Sequence, residues 1–333
     1  MNNVIYVAAG FIAFAVTAIL GKFMIPFLHR LKFGQTIREV GPKWHQKKQG
    51  TPTMGGIMFI IGITLAVAIS FPLFVSLGLE ETPLLKTKTM AGLGMALAFG
   101  VIGFIDDYIS VVKKRNLGLT EKQKLVLQFI IVAVYLFTVS LAGGGTTTLI
   151  PFIGRIDLGF FYYILAALII VGMVNAVNFT DGIDGLNSSV SFFAFLGLAL
   201  CASIVSYTGI AMLGIASAAA CIGFLIWNFH PAKVFMGDTG SLFLGGIMCA
   251  LAFGMDMPIL LLPVGIISVI EILSVVLQVS YFKATKGKRL FKMAPIHHHF
   301  EMKGWSEVKV CVIFSVITVL GSVIACIAVL YGL

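Results

Sequence analysis

Residues Phe161 to Leu200 read FYYILAALIIVGMVNAVNFTDGIDGLNSSVSFFAFLGLAL, and their pattern indicates the class of fold. Two apolar runs flank a polar segment, NAVNFTDGIDGLN, which covers residues 175–187. A helix needs about 20 apolar residues to cross the hydrocarbon core of a bilayer, and each run approaches that length. Because ionisable groups at a membrane edge are costly, the polar segment is expected to serve a function.

The apolar pattern repeats along the whole chain. Hydrophobic residues make up 59% of the 333 residues and charged ones 11%, and the mean hydropathy is +1.04, which excludes an ordinary soluble domain. The runs are long and apolar all round, which favours helices over the short alternating strands of a barrel. We predict an all-α integral membrane protein: one polytopic membrane domain, residues 1–333, with about ten transmembrane helices and cytoplasmic active-site loops. The runs lie near residues 3–25, 53–76, 90–106, 125–142, 158–177, 188–207, 209–227, 239–254, 258–281 and 308–331.

Lysine and arginine are unevenly distributed between these runs. By the positive-inside rule the basic loops face the cytoplasm, so both termini are expected on the extracytoplasmic side. The basic residues flank spans rather than forming one face, which speaks against nucleic-acid binding. The loops after the first, third and ninth runs hold Arg30, Lys32, Arg38, Lys43, Lys47, Lys48, Lys113, Lys114, Arg115, Lys122, Lys124, Lys283, Lys286, Lys288, Arg289, Lys292, Lys303 and Lys309, and the opposite loops hold only Lys86, Lys88 and Arg155.

Two loops are expected to have structure of their own. The external segment 143–157, GGGTTTLIPFIGRID, places strand-like residues between turn formers and predicts a small hairpin. The cytoplasmic loop 282–307 is the largest and is expected to carry a short amphipathic helix.

Four polar motifs follow odd-numbered runs and therefore open on the same, cytoplasmic face. Motifs scattered at random would divide between the two faces, so a single site assembled from several loops explains the pattern better. The motifs are GFIDDY (103–108), NAVNFTDGIDGLN (175–187), WNFHPAKVFMGDTGS (227–241) and MAPIHHHFE (293–301).

The carboxylates in these motifs suit a metal or phosphate site. Asp106 and Asp107 are adjacent, so on one helix they point about 100° apart and have different roles; acids at a helix C-terminus also require a compensating cation. Asp181 and Asp184 are three residues apart between glycines, and their oxygens suit Mg²⁺, although Asn, Asp and Gly are also ordinary turn formers. Asp238 lies in a Gly-Asp-Thr-Gly-Ser run that predicts a helix N-terminus whose free N–H groups attract phosphate.

Cationic and histidine groups complete the set. The segment KKQGTPTMGG (47–56) puts Lys48 beside another predicted helix start, where phosphate binding and an ordinary capped helix explain the sequence equally well. His297, His298 and His299 face three directions on a helix, so at most two of them face one site.

Carboxylates, amides, lysines and histidine at one membrane edge indicate Mg²⁺-assisted phosphoryl transfer between a soluble polyanion and a lipid. An ion-coupled transporter is the alternative from another class, but its sites would lie near the middle of the bilayer. Only Glu271, inside the ninth run, fits that position, and we interpret it first as a polar packing or cavity-lining group.

The segments TPTMGG, GFIDDY, NAVNFTDGIDGL, FMGDTGSL and PIHHHFE occur in this order. In them the chain resembles the polyprenyl-phosphate N-acetylhexosamine-1-phosphate transferases, and among these the phospho-N-acetylmuramoyl-pentapeptide transferase family. PIHHHFE distinguishes this family from relatives that transfer GlcNAc-1-phosphate for another cell-envelope glycan, which is the second alternative. The resemblance implies a ten-helix bundle, commonly a homodimer, in the bacterial cytoplasmic membrane. It also implies Mg²⁺-dependent transfer from UDP-MurNAc-pentapeptide to undecaprenyl phosphate, which gives lipid I and UMP.

The resemblance further implies roles for single residues. Asp238 is similar to the principal Mg²⁺ ligand, with Asp107 and Asp184 nearby, and Asp106 is similar to a residue that acts either as base or as nucleophile. Phe235 matches an aromatic residue that stacks on uracil. The expected catalytic residues are Asp106, Asp107, Asp238 and His298, and the expected substrate-binding residues are Lys48, Thr53, Lys124, Asn178, Asn187, Asn228, Phe235, His297 and His299.

Overall fold

The computed structural model describes residues 2–31, 48–76, 81–112 and 118–333. Within these ranges ten helices are long and apolar enough to cross a membrane, which confirms the predicted all-α integral membrane class. The basic residues Lys32, Arg38, Lys43, Lys47, Lys113, Lys114 and Arg115 lie outside the described residues.

The elements follow the predicted apolar runs closely. The two strands pair antiparallel with Thr147 opposite Asp157, which confirms the hairpin, and a short helix occurs in the loop 282–307 as expected. The helices are α1 Asn2–Arg30, α2 Gly56–Ser76, α3 Pro83–Val112, α4 Glu121–Leu141, α5 Phe161–Thr180, α6 Leu186–Ile204, α7 Thr208–Asn228, α8 Gly237–Gly254, α9 Leu261–Val264, α10 Ile266–Ala284, α11 Ile296–Glu301 and α12 Glu307–Gly332, and the strands are β1 Thr147–Ile150 and β2 Gly154–Asp157.

Helix α8 is the centre of the bundle, and nearly all of its residues are buried. Two adjacent glycines let neighbouring helices approach its backbone. A Cβ atom on Gly245 would lie 2.7 Å from Val174 Cα of α5, and one on Gly246 would lie 2.8 Å from Ala96 Cα of α3. Small residues at such contacts allow the close packing that holds membrane helices together. The packing aligns α3, α5 and α8, so that their polar ends meet.

The ninth apolar run is not one continuous helix, contrary to the expectation for residues 258–281. A 3₁₀ turn, Pro258–Leu260, and the short α9 precede a break at Gly265, after which α10 begins. The Thr180 hydroxyl at the end of α5 donates to the Ser268 hydroxyl at 2.9 Å, so the start of α10 lies level with the α5 C-terminus. Hydropathy could not reveal the break because apolar residues continue across it. Glu271, in the second turn of α10, therefore lies near the polar ends of the other helices rather than at mid-span.

Candidate active site

Asp106 and Asp107 lie in the last turns of α3 and face different partners, as their spacing predicts. Asp106 accepts a hydrogen bond from Leu119 N at 2.7 Å, and its other oxygen lies 3.0 Å from Lys124 Nζ. Lys124 is thus the compensating cation that the acidic helix end requires. Asp107 turns instead toward the start of α8.

The Asp107 carboxylate caps the N-terminus of α8. It accepts from Asp238 N at 3.2 Å, from Thr239 N at 2.9 Å and from Thr239 Oγ1 at 2.6 Å. The helix start was predicted correctly, but these two N–H groups are not free for phosphate because the carboxylate already occupies them. Gly237 has φ +69°, and a Cβ atom there would lie 2.4 Å from Asp107 Oδ2 and 2.7 Å from Thr53 Oγ1. Only glycine fits this turn without displacing the cap.

Asp238 is shared between a lysine and an asparagine. Lys124 Nζ lies 2.5 Å from Asp238 Oδ2, and Asn178 Nδ2 donates to Asp238 Oδ1 at 2.9 Å. One turn further into the bundle, Asn175 Nδ2 donates to Gln128 Oε1 at 2.7 Å and links α4 to α5. The structure therefore brings together four of the predicted residues, Asp106, Lys124, Asn178 and Asp238, from four different helices.

Lys48 and Asp184 belong to a neighbouring network. Lys48 Nζ lies 2.7 Å from Asp184 Oδ1 and 2.6 Å from Glu307 Oε2 at the start of α12. The other Asp184 oxygen accepts from Ala232 N at 2.9 Å and lies 3.1 Å from His230 Nδ1. Lys48 was predicted to face phosphate, and in this conformation its ammonium is held by two carboxylates.

Asp181 lies between the two networks. It is half-buried, and burial, followed by repulsion from the carboxylates of Asp238, Asp107 and Asp184, holds the pKa of Asp181 well above its usual range. Close like charges disfavour ionisation in this way because no counter-charge offsets them. The site therefore has an excess of carboxylates over cations.

A hard divalent cation fits this excess. The carboxylates of Asp106, Asp107 and Asp181 each interact electrostatically with that of Asp238, and Lys124 pairs with Asp106 and Asp238. Carboxylate and amide oxygens are the ligands of Mg²⁺, and each carboxylate has lone pairs beyond those already used. In the neighbouring network, Asp184, His230 and Glu307 offer ligand atoms within 4.8 Å of one another, so this group could also hold a cation. There the Lys48 ammonium already supplies positive charge.

The three histidines on α11 face three directions, as predicted. His297 is 0% exposed, and its Nδ1 lies 3.1 Å from Glu271 Oε1. His298 Nδ1 lies 2.7 Å from Glu301 Oε2, and its ring is centred 4.1 Å from that of His297. His299 accepts from Lys292 N at 3.0 Å, and its pKa is lowered by partial burial and by the charges of Lys303 and Lys292. The catalytic role expected for His298 stays a prediction.

Two predicted substrate contacts instead hold the loop between α7 and α8. The Asn228 side chain, 2% exposed, accepts from Ser188 Oγ at 2.9 Å and donates to Val234 O at 3.0 Å. The Asn187 side chain is 0% exposed, and its Nδ2 lies 3.3 Å from Met236 Sδ. Their direct contact with substrate stays a prediction, since both amides are already engaged inside the protein.

Phe235 and Thr53 lie where two loops meet. Phe235 N donates to Pro52 O and Gly55 N donates to Phe235 O, both at 2.8 Å, so the loop before α2 and the loop before α8 are bonded to each other. The Phe235 side chain is half-buried, whereas Thr53 is 7% exposed and faces the Gly237 turn. Of these two, Phe235 is the better placed to reach a ligand.

Reasoning from the sequence did not identify Glu307 or the pairing of His230. Glu307 follows the N-cap residue Ser306, where an acidic residue is ordinary. His230 lies within the quoted stretch WNFHPAKVFMGDTGS but has no local feature that marks it. Only their approach to Asp184 in three dimensions gives them a place at the site.

Comparison with known proteins agrees with this arrangement. A model of glycosyl transferase family 4 matches residues 89–256, which include most of α3, all of α4 to α8 and the Asp106, Lys124, Asn178 and Asp238 cluster. Fold and site thus define a membrane-embedded transferase of that class.

Narrower matches follow. Phospho-N-acetylmuramoyl-pentapeptide-transferase signature 1 matches residues 48–60. Curated proteins named phospho-N-acetylmuramoyl-pentapeptide-transferase are 47% identical over 315 residues in Halalkalibacterium halodurans (94% of each chain) and 48% identical over 302 residues in Bacillus subtilis strain 168 (90% of each chain). Another, from Clostridium perfringens strain SM101, is 46% identical over 317 residues and also 94% of each chain. The chain belongs to the phospho-N-acetylmuramoyl-pentapeptide transferase family.

Proposed function

We propose that the protein transfers phospho-MurNAc-pentapeptide from UDP-MurNAc-pentapeptide to undecaprenyl phosphate, forming lipid I and UMP. Family membership over nearly the whole chain supports this substrate pair. The observation that carries the chemistry is the meeting of Asp106, Lys124, Asn178 and Asp238 at the ends of four membrane helices. A site at a membrane edge is open to a soluble nucleotide from one side and to a lipid from the other.

Mg²⁺ is the proposed cofactor. Asp238 is the first choice of ligand because it is partly exposed and lies beside the half-buried Asp181. Asp107 and Asp184 are the other proposed ligands, through lone pairs that their present hydrogen bonds leave free. When bound, Mg²⁺ supplies charge neutralisation at the pyrophosphate and polarises a phosphoryl oxygen.

The protein's own groups have complementary roles in this proposal. The Asp107 cap fixes the first turn of α8, and Asn178 fixes one oxygen of Asp238. Lys124, held between Asp106 and Asp238, presents a positive charge to the phosphates. Fixed charges of this kind stabilise the negative charge of the transition state without having to reorganise.

The lipid phosphate is already an oxyanion, which favours direct displacement. Its oxygen bonds to the sugar-linked phosphorus while the bond from that phosphorus to the bridging oxygen of UMP breaks. Asp106 either removes a proton from a monoprotonated lipid phosphate or attacks first as a nucleophile. The first role needs least from the enzyme, because the second pKa of a phosphate monoester is about 6.

The remaining predicted residues are proposed to bind the ends of the nucleotide substrate. Phe235 stacks on uracil, with Asn187, Asn228 and Thr53 shaping its loop. Lys48 contacts Asp184 and His297 contacts Gly182 in the acidic loop 181–187, and these two residues, with His298 and His299, are proposed to bind phosphate or sugar.

We also propose that the active site faces the cytoplasm of a bacterium, with both termini on the extracytoplasmic side. The positive-inside rule supports this orientation through the described basic residues Lys122 and Lys124, which lie in the first turn of α4 beside the site. A homodimer within the membrane is the proposed assembly. Blue-native electrophoresis in mild detergent tests the dimer when the protein is produced together with a copy that carries a terminal fusion of known mass. A dimer should give a third band, of intermediate mass, that contains one copy of each.

UMP release tests the proposed function. Purified protein in detergent receives undecaprenyl phosphate with either UDP-MurNAc-pentapeptide or UDP-GlcNAc, with Mg²⁺ or with EDTA. We expect release only with the muramoyl donor and Mg²⁺, and none from Asp238→Asn. Asp157→Asn, an exposed aspartate in the β2 strand, is the matched control and should remain active. Release only with UDP-GlcNAc would reassign the donor, and no release by folded protein with either donor would overturn the proposal.

A further inference from the structure

Glu271 is a buried acid to which the proposed chemistry gives no role. Its side chain is 0% exposed, and it is the one acidic residue of the largely apolar helix α10. A buried carboxylate without a partner costs several kcal/mol on the order-of-magnitude scale for such groups, so its partner indicates why it is there.

That partner is His297. Glu271 Oε1 lies 3.1 Å from His297 Nδ1, and Glu271 Oε2 accepts from His297 N at 3.4 Å. The histidine ring is itself 0% exposed, and neither of its nitrogens makes an aligned hydrogen bond among the residues that the structure describes, so Nδ1 contacts Glu271 Oε1 at ion-pair distance only. The carboxylate therefore faces both the ring and the backbone of one residue.

The opposite edge of the ring presses on the acidic loop. A Cβ atom built on Gly182 would lie 2.1 Å from His297 Nε2 and 2.4 Å from Cε1. Gly182 follows Asp181, the residue that lies between the two charged networks. A change in the orientation of the ring would therefore displace the loop that carries Asp181.

A carboxylate beside Nδ1 also fixes which nitrogen holds the proton. An unprotonated Nδ1 would turn its lone pair toward a carboxylate oxygen 3.1 Å away, so repulsion favours the ring form that carries the proton on Nδ1. The same arrangement orients histidines in metal sites, where loss of the partner costs about 10- to 100-fold in affinity or activity.

We propose that Glu271 is a positioning residue for the transfer reaction: it holds His297 with Nδ1 protonated and its Nε2 edge against Gly182, and so fixes the acidic loop at Asp181. The inference rests on the proposed function. A stabilising role alone would not require the charges, since a buried ion pair can often be replaced by apolar groups without loss of stability.

A double-mutant cycle tests this role in the UMP-release assay. Glu271→Leu should lower kcat about 10- to 100-fold with little change in KM for the nucleotide, as for other orienting partners of histidine. Glu271→Gln should recover most of that loss because the amide oxygen can still accept from His297 N or present its partial negative charge to Nδ1. The double variant Glu271→Leu with His297→Ala should be no worse than His297→Ala alone. Effects that multiply, or a Glu271→Gln variant as impaired as Glu271→Leu, would overturn the inference.

The contact at Gly182 gives a second cycle. Gly182→Ala should impair the enzyme when His297 is present and should do so much less in the His297→Ala background, because truncation removes the ring that the new methyl group meets. Glu81→Gln is the matched control: Glu81 is an acid at the far end of α3 that accepts from Gly209 N at 2.8 Å, and its replacement should leave kcat unchanged.

A measurement on the wild-type protein remains decisive if Glu271→Leu does not fold. In ¹⁵N-histidine spectra of the full chain, with His297 assigned by its loss in His297→Asn, Nδ1 should be protonated at neutral pH. An unprotonated Nδ1 would overturn the inference. Failure of the proposed function has a different signature, namely folded wild-type protein that releases no UMP from either donor.

Discussion

Replacing Asp107 by asparagine separates its structural role from its chemical one. The carboxylate accepts two backbone N–H groups and one hydroxyl at the start of α8, and it is 9% exposed. Asparagine has the same shape but only one acceptor oxygen. If that oxygen replaces Oδ2 and keeps both Thr239 contacts, the new NH₂ group faces the Asp238 N–H, which lies 3.2 Å from Oδ1.

The cost of this change follows from the bonds lost. One hydrogen bond to a charged group is replaced by two opposed donors, which costs about 1.5–3 kcal/mol. The helix N-terminus also loses a negative charge, which adds about 0.3–1 kcal/mol. We therefore expect Asp107→Asn to lower the free energy of unfolding by about 2–4 kcal/mol and to abolish most activity, because Asp238 is displaced with the helix start.

Equilibrium unfolding in mixed micelles measures the first effect, and UMP release measures the second. Asp157→Asn is again the control: its carboxylate accepts from Thr146 Oγ1 and Gly159 N on an exposed hairpin, and one retained acceptor limits the change to about 0.5 kcal/mol. If Asp107→Asn unfolds as the wild type does while activity is lost, the capping role is refuted and Asp107 acts in the chemistry alone.

Three further predictions concern the same site. Gly237→Ala should lower the free energy of unfolding by about 1–2 kcal/mol from the left-handed backbone alone, and it should reduce activity by disturbing the Asp107 cap. Gly94→Ala is the control, because a Cβ atom there meets nothing within 4 Å. Unchanged activity of Gly237→Ala would contradict the reasoning. The raised pKa of Asp181 makes the folded protein without Mg²⁺ bind more protons than the unfolded chain, so its stability should fall as pH rises from about 3.8 through the folded pKa. Asp181→Asn should remove that slope in pH-dependent unfolding, and a slope that persists would assign it to other groups. If Asp106 is a base, Asp106→Asn should impair transfer less at higher pH, since the lipid phosphate loses its proton unaided above a pKa of about 6. A loss of activity that is equal at every pH of the pH–rate profile would exclude that role.

The class of fold follows from the sequence alone, and the sequence also singles out candidate site residues, of which the structure brings Asp106, Lys124, Asn178 and Asp238 together. Apolar runs such as 161–180 report a spanning helix locally, because every backbone polar group in lipid must bond within its own helix. The motifs after odd-numbered runs indicated one shared face, and the turn formers around residues 143–157 indicated the hairpin. These signals depend on neighbours within a few positions along the chain.

Which of these residues act on one another depends on the packing of distant helices. Lys48 binds Asp184 and Glu307, the second of which is 259 positions away, and Asp107 caps a helix that begins 130 positions later. Such pairings depend on how α3, α5 and α8 pack through their small residues, and no local pattern encodes that geometry. The break at Gly265 is of the same kind: residues on both sides are apolar, and only packing brings Glu271 from an expected mid-span position to His297. Periodicity and hydropathy report the environment of each segment, whereas the partner of each charge depends on contacts between distant segments.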